Sequence, residues 1–170
     1  DASGTTWGTP VTIDFFGTLG QSNSLAVVNG NPAISYYDGT NYDLKYVRAT
    51  DAEGTTWGTP VTIDSTGDVG RYTSLAVVNG SPAISYYDQT NNSLKYVRAT
   101  DASGTVWGTP VNFGVGGSLG TSLTVVNGNP AISYGSSGLK YMRANDASGT
   151  TWGTPVALGS GYSPSLTIVN

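Results

Sequence analysis

The chain lacks cysteine and histidine altogether. Without cysteine, disulfide bonds and thiol chemistry are excluded. Without histidine, the chain has none of the side chains that most often serve as general bases and as metal ligands. We therefore expect no cofactor and no bound metal.

Charged residues are also scarce, at 11% of the chain against about 25% in an average soluble domain. The net charge of −4 leaves no basic stripe for nucleic acid, and no apolar run approaches the ~20 residues that cross a membrane. Threonine, serine, asparagine, glycine and tyrosine take the place of charged residues. This composition predicts an exported protein that is extracellular or at the cell surface, with no nucleic-acid partner and no membrane insertion.

The sequence is built from repeats, and we treat residues 1–170 as a single repeat domain. Residues 1–50 and 51–100 align without a gap and are identical at about three quarters of their positions. Residues 101–145 are a third, shorter copy, and residues 146–170 begin a fourth. A repeat of this length is typical of propellers and stacked arrays, in which each unit buries its apolar face against its neighbours.

Each copy has the pattern of four short antiparallel strands, which we label a to d from the inside outward. The pair Asn79 and Gly80 predicts a type I′ hairpin between strands a and b, because both residues of that turn need a positive φ. Pro60 places strand d at an edge. In the second copy strand d covers residues 57–64, strand a 74–78, strand b 82–87 and strand c 94–99.

Four strands per repeat predict an all-β fold, a β-propeller built of four-stranded antiparallel blades. An open β-solenoid, whose strands pair between copies, is the alternative. The chain would supply about three full blades plus two orphan strands, strand d at its start and strand a at its end. Because unpaired edges are usually covered, we expect either a fragment of a longer array or closure with copies of itself. The expected partners are thus copies of itself or further repeats of a longer parent chain.

A turn motif of aspartate, glycine and tryptophan recurs between strands c and d. The carboxylate can accept hydrogen bonds from backbone N–H groups two or three residues further on, the glycine supplies a left-handed conformation, and the tryptophan packs between neighbouring blades. Calcium at this turn is the alternative, but calcium needs six or more oxygens and each turn offers one carboxylate. The motif residues are Asp1, Gly4, Trp7, Asp51, Gly54, Trp57, Asp101, Gly104, Trp107, Asp146, Gly149 and Trp152.

This motif resembles the Asp-box of BNR-type β-propeller repeats, which occur in sialidases, sortilin-like receptors and many secreted proteins, with one additional residue between the aspartate and the glycine. The resemblance extends over the whole chain through the repetition. It implies a propeller fold in which the motif is structural and lies between the third and fourth strands. It also implies a sialidase-like glycoside hydrolase as an enzymatic alternative.

Differences between the copies are confined to two sets of loops. In a meander the b–c and d–a loops share one rim, and the residues missing from the third copy fall there, whereas the a–b and c–d turns on the other rim barely change. Variable loops on a rigid scaffold are typical binding surfaces, and aromatic rings beside amides and carboxylates suit glycans. The candidate ligand-binding residues are Phe15, Phe16, Tyr42, Asp43, Asp68, Arg71, Tyr72 and Gln89.

Catalysis is not expected from this sequence. Its single glutamate, Glu53, lies in the c–d turn. Arg48, Arg98 and Arg143 recur once per copy, so they are spread around the ring and pair with carboxylates or carbonyls instead of converging. We therefore predict a non-catalytic, secreted or cell-surface module for binding or scaffolding, with glycan recognition on the variable rim. A self-assembling structural surface protein, as an oligomer or a filament, is the alternative, and a sialidase-like glycoside hydrolase fragment is the third.

Overall fold

The computed structural model describes residues 3–6, 8–14, 21–116 and 120–168, with only the backbone of Gln21. These residues are all-β, and they include no helix that could cross a membrane. The strands are β1 (Gln21–Val28), β2 (Asn31–Asp38), β3 (Asp43–Arg48), β4 (Val61–Asp64), β5 (Val69–Val78), β6 (Ser81–Asp88), β7 (Ser93–Arg98), β8 (Val111–Asn112), β9 (Thr121–Val126), β10 (Asn129–Ser136), β11 (Gly138–Arg143) and β12 (Val156–Gly159).

The described strands form three four-stranded antiparallel sheets, in the orders β1-β2-β3-β4, β5-β6-β7-β8 and β9-β10-β11-β12. We call them the first, second and third sheets. Each is a meander whose last strand comes from the beginning of the next sequence repeat. The predicted four-stranded antiparallel blades are thereby confirmed. Because the ladders run within each sheet, the described residues do not form a β-solenoid, and their sheets do not close into a ring.

The a–b hairpins have the predicted turn geometry. Asn79 and Gly80 both have positive φ, at 46° and 77°, and Asn29 and Gly30 match them at 44° and 81°. These are the left-handed values that a type I′ turn requires. The turn fixes the register of β5 against β6, with Val78 opposite Ser81.

Strand d is shorter than the predicted range of 57–64. Its regular part, β4, begins at Val61, and Trp57 joins the sheet only through an isolated bridge. Pro60 has no N–H to donate to a ladder, and the N–H of Gly58 donates to the carbonyl of Arg48 at 3.0 Å. The start of the predicted strand is therefore a connection between the turn and the sheet.

The two predicted orphan strands are not formed in the described residues. Residues 8–14 and 160–168 are irregular. A strand needs a neighbour to satisfy its backbone, and these segments have no complete sheet of their own to join. They pack on the adjacent sheets instead, as when the N–H of Leu166 donates to Ser122 Oγ at 2.9 Å.

The hydrophobic core lies between the sheets, which stack face to face. Apolar side chains from neighbouring sheets meet in two clusters, so that each sheet buries its faces against the next. The cluster between the first and second sheets contains Val28, Ala33, Leu44, Tyr46, Val69, Leu75, Ile84, Tyr86 and Val97. The cluster between the second and third contains Val78, Ala83, Leu94, Tyr96, Leu123, Ile132, Tyr134 and Met142.

Repeated polar contacts set the position of one sheet against the next. Ser24 Oγ accepts a hydrogen bond from Leu75 N at 3.0 Å, which joins the innermost strands β1 and β5. The hydroxyls of Ser35 and Thr73 lie 2.7 Å apart across the same interface. Equivalent contacts link β5 and β6 to β9, so the same polar contacts occur at both interfaces.

Candidate functional site

The c–d turns are closed by their aspartates. In the third repeat, Asp101 Oδ1 accepts the N–H groups of Ser103 and Gly104, both at 2.8 Å, and Oδ2 accepts that of Val106 at 2.6 Å. Burial raises the pKa of Asp101, but the N–H donors, with Val106 first, outweigh it and lower the pKa to about 2. The carboxylate is therefore committed to the turn. Asp1 and Trp7 of the first motif lie outside the described residues.

The glycine and tryptophan of this motif meet the preceding sheet. The Trp107 indole N–H donates to the carbonyl of Gly104 at 2.9 Å, and the Trp107 ring packs edge-on against Tyr46 of the first sheet. A Cβ on Gly104, whose φ is +78°, would lie 2.6 Å from the Tyr46 ring. The turn thus needs glycine both for its backbone and for the close approach of the neighbouring sheet.

The three repeat-related arginines brace the a–b hairpins on the same rim. Arg98 Nε and Nη2 donate to the carbonyls of Val78 and Asn79, both at 2.8 Å. Arg48 and Arg143 make the same pair of bonds in the first and third sheets. Their guanidinium groups therefore support the scaffold and do not converge on one site.

The opposite rim is formed by the b–c and d–a loops, and we call it the loop rim. The d–a loop, residues 65–68, lies between the b–c loops of the first and second sheets. Val69 N donates to Tyr42 O at 2.9 Å on one side, and Gln89 N donates to Asp68 O at 2.8 Å on the other. Loops from different sheets are thus tied into one surface.

A charged and aromatic group lies at the centre of this surface. Arg71 binds both carboxylate oxygens of Asp68, through Nε at 3.0 Å and Nη2 at 2.9 Å. The Tyr37 hydroxyl donates to Asp68 Oδ1 at 2.9 Å, and the Arg71 guanidinium lies 4.9 Å from the centre of the Tyr37 ring. A bidentate pair of this kind fixes the orientation of both side chains.

The surroundings of Asp68 and Tyr37 shift the pKa values of both side chains. Hydrogen bonds from Arg71 hold the pKa of Asp68 below its ordinary value, and burial together with the bond to Asp68 raises the pKa of Tyr37 to about 12. Asp68 is therefore an ionised acceptor at neutral pH, and Tyr37 is a neutral hydroxyl that donates to it.

Two exposed tyrosines belong to the segments that meet at this group: Tyr42 accepts the N–H of Val69 through its carbonyl, and the Tyr72 ring lies 6.3 Å from that of Tyr87. Tyr42 is 52% exposed and Tyr72 is 41% exposed, and both have left-handed backbones, with φ of 64° and 54°. Asn92 and Ser22, the equivalent residues of the neighbouring copies, have φ of 49° and 50°. The unusual backbone thus belongs to the repeat, while the aromatic ring is specific to one copy. We call Tyr37, Tyr42, Asp68, Arg71 and Tyr72 the rim cluster.

The structure therefore brings together four of the candidate ligand-binding residues, Tyr42, Asp68, Arg71 and Tyr72. Gln89 is tied to them through its backbone N–H, which donates to the carbonyl of Asp68. Asp43 starts β3, opposite Asp38, and burial and the charge of Asp38 raise its pKa. Phe15 and Phe16 lie outside the described residues.

Tyr37 was missed in the sequence because its equivalent, Tyr87, is also tyrosine. A search for differences between copies finds only residues that change. The tyrosine is repeated, but its hydrogen-bond partner is not. The Tyr37 hydroxyl donates to Asp68, whereas the Tyr87 hydroxyl donates to Asn92. The signal that could have found Tyr37 was its position at the end of strand b, beside the variable loops.

A second set of residues that sequence reasoning missed joins the sheets beneath the loop rim. In the second sheet, Lys95 Nζ lies 3.1 Å from Asp64 Oδ2 and 2.7 Å from Asp88 Oδ2. The Tyr86 hydroxyl donates to the same Asp64 oxygen at 2.7 Å. Asp64 belongs to the first sheet, so this buried cluster ties two sheets together. Burial raises the pKa of Asp64, but the bonds from Tyr86, Thr66 and Lys95 outweigh it and lower the pKa.

Comparison with models of known protein families gives no match, and comparison with curated proteins gives none either. Among solved structures, the fold is similar to two variants of exo-β-1,3-galactanase from Phanerochaete chrysosporium, each with β-1,3-galactotriose. The TM-score is 0.54 in both comparisons, at 14% and 13% sequence identity, with 80% of this chain covered. The chain spans 35% of the galactanase chain. The likeness supports a propeller-like, all-β fold.

The comparison contradicts the prediction that the chain is not an enzyme, because these neighbours are glycoside hydrolases. The prediction rested on the missing histidine and on the single glutamate, Glu53. Glycoside hydrolysis needs only two suitably placed carboxyl groups, and aspartates can supply both. The loop rim carries two half-buried aspartates, Asp43 and Asp68.

Proposed function

We propose that this chain is a carbohydrate-recognising propeller module, active outside the cell or at its surface, and that the rim cluster holds a glycan. The similarity to galactanase structures with a bound galactotriose supports a carbohydrate-related role. The hydroxyl- and amide-rich composition supports an extracellular location. The closure of each c–d turn by its aspartate supports a repeat of the Asp-box type.

The observation that carries the proposal is that two exposed tyrosines share the loop rim with an ordered ionic group. The apolar face of a sugar ring can stack on Tyr42 or Tyr72, as glycans do on aromatic side chains. Asp68 offers lone pairs to sugar hydroxyls. Arg71 uses Nε and Nη2 in its bonds to Asp68 and Tyr37, and no described residue binds its Nη1, which leaves N–H donors for a ligand.

Binding should be tested by calorimetric titration with β-1,3-linked galacto-oligosaccharides, after a glycan array has ranked other sugars. Tyr72→Ala should weaken binding at least tenfold, which is about 1.4 kcal/mol. Tyr162→Ala is the matched control, because Tyr162 is 64% exposed and lies far along the chain from the rim cluster. Equal loss in both variants, or no glycan bound by the wild type, would refute the proposal.

Glycoside hydrolysis is the second candidate function, because the similar structures are galactanases and the loop rim carries two half-buried aspartates, Asp43 and Asp68. Burial and Asp38 raise the pKa of Asp43, whereas Arg71 lowers that of Asp68. A glycosidase pairs a general acid of raised pKa with an ionised carboxylate. In this proposal Asp43 is the general acid and Asp68 is the carboxylate that assists the attack. Release of reducing sugar from β-1,3-galactan should be lost in Asp43→Asn, while oligosaccharide binding remains.

A role in self-assembly is supported by the open face of the first sheet. Leu25 is 65% exposed there, whereas its equivalent Leu75 is 6% exposed because the first sheet covers it. Leu25, Ile34 and Tyr36 line a cavity of about 370 Å³ on this face. The interface between the first and second sheets shows what fits such a face, namely another sheet of the same repeat. We therefore propose that a second copy of the chain docks here.

Sedimentation at micromolar concentration tests the docking. The wild type should form a concentration-dependent oligomer, and Leu25→Asp should be monomeric because it places a charge in the new interface. Val156→Asp is the matched control for an added surface charge, since Val156 is 53% exposed on the outer strand of the third sheet. A wild-type monomer at all concentrations would contradict self-assembly.

A further inference from the structure

The third sheet keeps only half of the ionic cluster that the other two sheets complete. Tyr86 and Lys95 face each other across β6 and β7, and Asp64 Oδ2 lies within hydrogen-bond distance of both. The first sheet has the same arrangement, with Tyr36 and Lys45 around Asp14. A carboxylate oxygen between a tyrosine hydroxyl and a lysine ammonium is thus the standard arrangement of this repeat.

In the third sheet the donors remain and the acceptors are replaced. Tyr134 and Lys140 face each other across β10 and β11. Gly114 stands at the position of Asp64, and Ser136 stands at that of Asp88. Ser136 carries no charge to replace the carboxylate of Asp88, and its hydroxyl donates to the carbonyl of Gly116 at 2.6 Å.

The consequence is a buried hydroxyl without a hydrogen bond. Tyr134 is completely buried, and its hydroxyl has no partner among the described residues. A polar group buried in this way carries a desolvation cost that a bound acceptor would remove. Lys45 and Lys95 each contact two carboxylates, but Lys140 makes no ion pair within the described part of the chain.

The position of Gly114 is open to a side chain. A Cβ built on Gly114 meets no atom within 4 Å. The b–c loop above this point is also short, since Ser137 alone separates β10 from β11, whereas residues 89–92 form the same loop in the second sheet.

We propose that the Tyr134 hydroxyl and the Lys140 ammonium, which lie on facing residues of β10 and β11, together bind a carboxylate from outside the chain. The ligand takes the place that Asp64 fills one sheet earlier, accepting a hydrogen bond from Tyr134 and forming an ion pair with Lys140. Acetate is a small molecule with such a carboxylate, and a uronic acid carries the same carboxylate on a sugar ring. The site does not depend on the rim cluster or on the proposed glycan function.

Ser133 is a second buried hydroxyl without a described partner, but it lies outside this site. Its equivalents Ser35 and Ser85 bond to Thr73 and Thr121 of the next sheet. Pro164 stands at that threonine position in the following repeat, and proline offers no hydroxyl. The face that carries Ser133 is therefore the one turned away from Tyr134.

The test is a calorimetric or NMR titration of the wild type with acetate, with glucuronate, and with acetamide as a neutral isostere. Acetate should bind saturably and acetamide should not. Tyr134→Phe, which removes only the hydroxyl, should weaken acetate at least tenfold, and so should Lys140→Met. Gly114→Asp should abolish binding, because it returns a carboxylate to the sequence position of Asp64, and aspartate tolerates the φ of +61° found there.

Tyr162→Phe is the matched control and should leave acetate binding unchanged. Binding of glucuronate as well as acetate identifies sugar acids as ligands, and binding of acetate alone restricts the site to small carboxylates. The proposal is overturned if neither carboxylate saturates the wild type. It is also overturned if acetamide binds equally well, or if the folded Gly114→Asp variant binds acetate like the wild type.

Discussion

The ring of Trp152, in the c–d turn of the third sheet, packs edge-on against Tyr96 of the second sheet, with ring centroids 5.1 Å apart and planes at 67°. Trp107 packs on Tyr46 of the first sheet in the same way, at 5.2 Å and 67°. The two contacts lie at successive sheet interfaces. The tryptophan of the turn motif therefore joins each sheet to the one before it.

Trp107→Ala should lower the free energy of unfolding by about 3 kcal/mol, because it removes a large ring from an interface between two sheets. Trp57 occupies the same position in the first sheet, where no described sheet precedes it. Trp57→Ala should therefore cost about 1 kcal/mol or less. Urea denaturation of the two variants measures the difference. Equal losses would show that the ring acts within its own turn and not between sheets.

Tyr86 and Tyr134 occupy equivalent positions, but removing their hydroxyls should change the stability of the fold by different amounts. Tyr86→Phe should cost about 2 kcal/mol, because the buried Asp64 carboxylate loses a donor. Tyr134→Phe should be neutral or stabilising in buffer without carboxylates, since it removes a hydroxyl that has no described partner. Chemical denaturation of both variants provides the comparison. A loss at Tyr134 as large as that at Tyr86 would reveal a hydrogen bond that this account does not contain.

Stability should fall in acid because of the turn aspartates. The pKa of Asp101 is about 2 in the folded chain, below its value in an unfolded chain of about 3.9. A lowered pKa stabilises the fold above the unfolded value, and this contribution disappears as the pH falls from about 4 towards 2. Asp101→Asn should make the free energy of unfolding less dependent on pH in that window.

Asp43→Asn is the control for this titration, because the folded pKa of Asp43 is raised. The effect of Asp43 on stability is opposite to that of Asp101. The folded state binds the Asp43 proton more tightly than the unfolded state does, so Asp43 adds stability as the pH falls. Removing Asp43 should therefore make the acid dependence steeper. Urea denaturation at several pH values measures the free energy of unfolding of both variants. The same change of this free energy with pH in both would contradict the lowered pKa of Asp101 and the raised pKa of Asp43.

Glycines in two turns should differ in their tolerance of a methyl group. Gly30→Ala meets no atom within 4 Å, so its cost is that of a left-handed alanine at φ +81°, about 1 kcal/mol. Gly104→Ala has the same backbone problem and also places Cβ 2.6 Å from the Tyr46 ring. It should cost about 3 kcal/mol in all. Thermal and urea unfolding of the pair would detect the clash, and similar values would rule it out.

The repeat made most of the fold predictable. Alternation and the Asn79–Gly80 turn indicate short antiparallel strands, and four strands per copy indicate the blade. The length of strand d was overestimated, because alternation continues through Pro60 although the ladder does not. The ion pairs of Lys95 with Asp64 and Asp88 were not predicted. The proximity of Asp64 and Lys95 follows from how the first sheet packs on the second, which the repeat pattern does not specify.

The candidate site was predictable in part. Residues that differ between copies led to Tyr42, Asp68, Arg71 and Tyr72, which the structure places on one surface. Comparison between copies could not find Tyr37, which is repeated. The role of each group depends on its partners, and those partners come from loops of different sheets.

The most direct test of the proposed glycan function is a map of amide chemical shifts during titration with β-1,3-galactotriose. The account predicts saturable shifts confined to the rim cluster, around Tyr42, Asp68 and Tyr72, that are lost in Tyr72→Ala. Shifts centred on the opposite rim, around Asn79 and Ser148, or no saturable shifts at all, would contradict it.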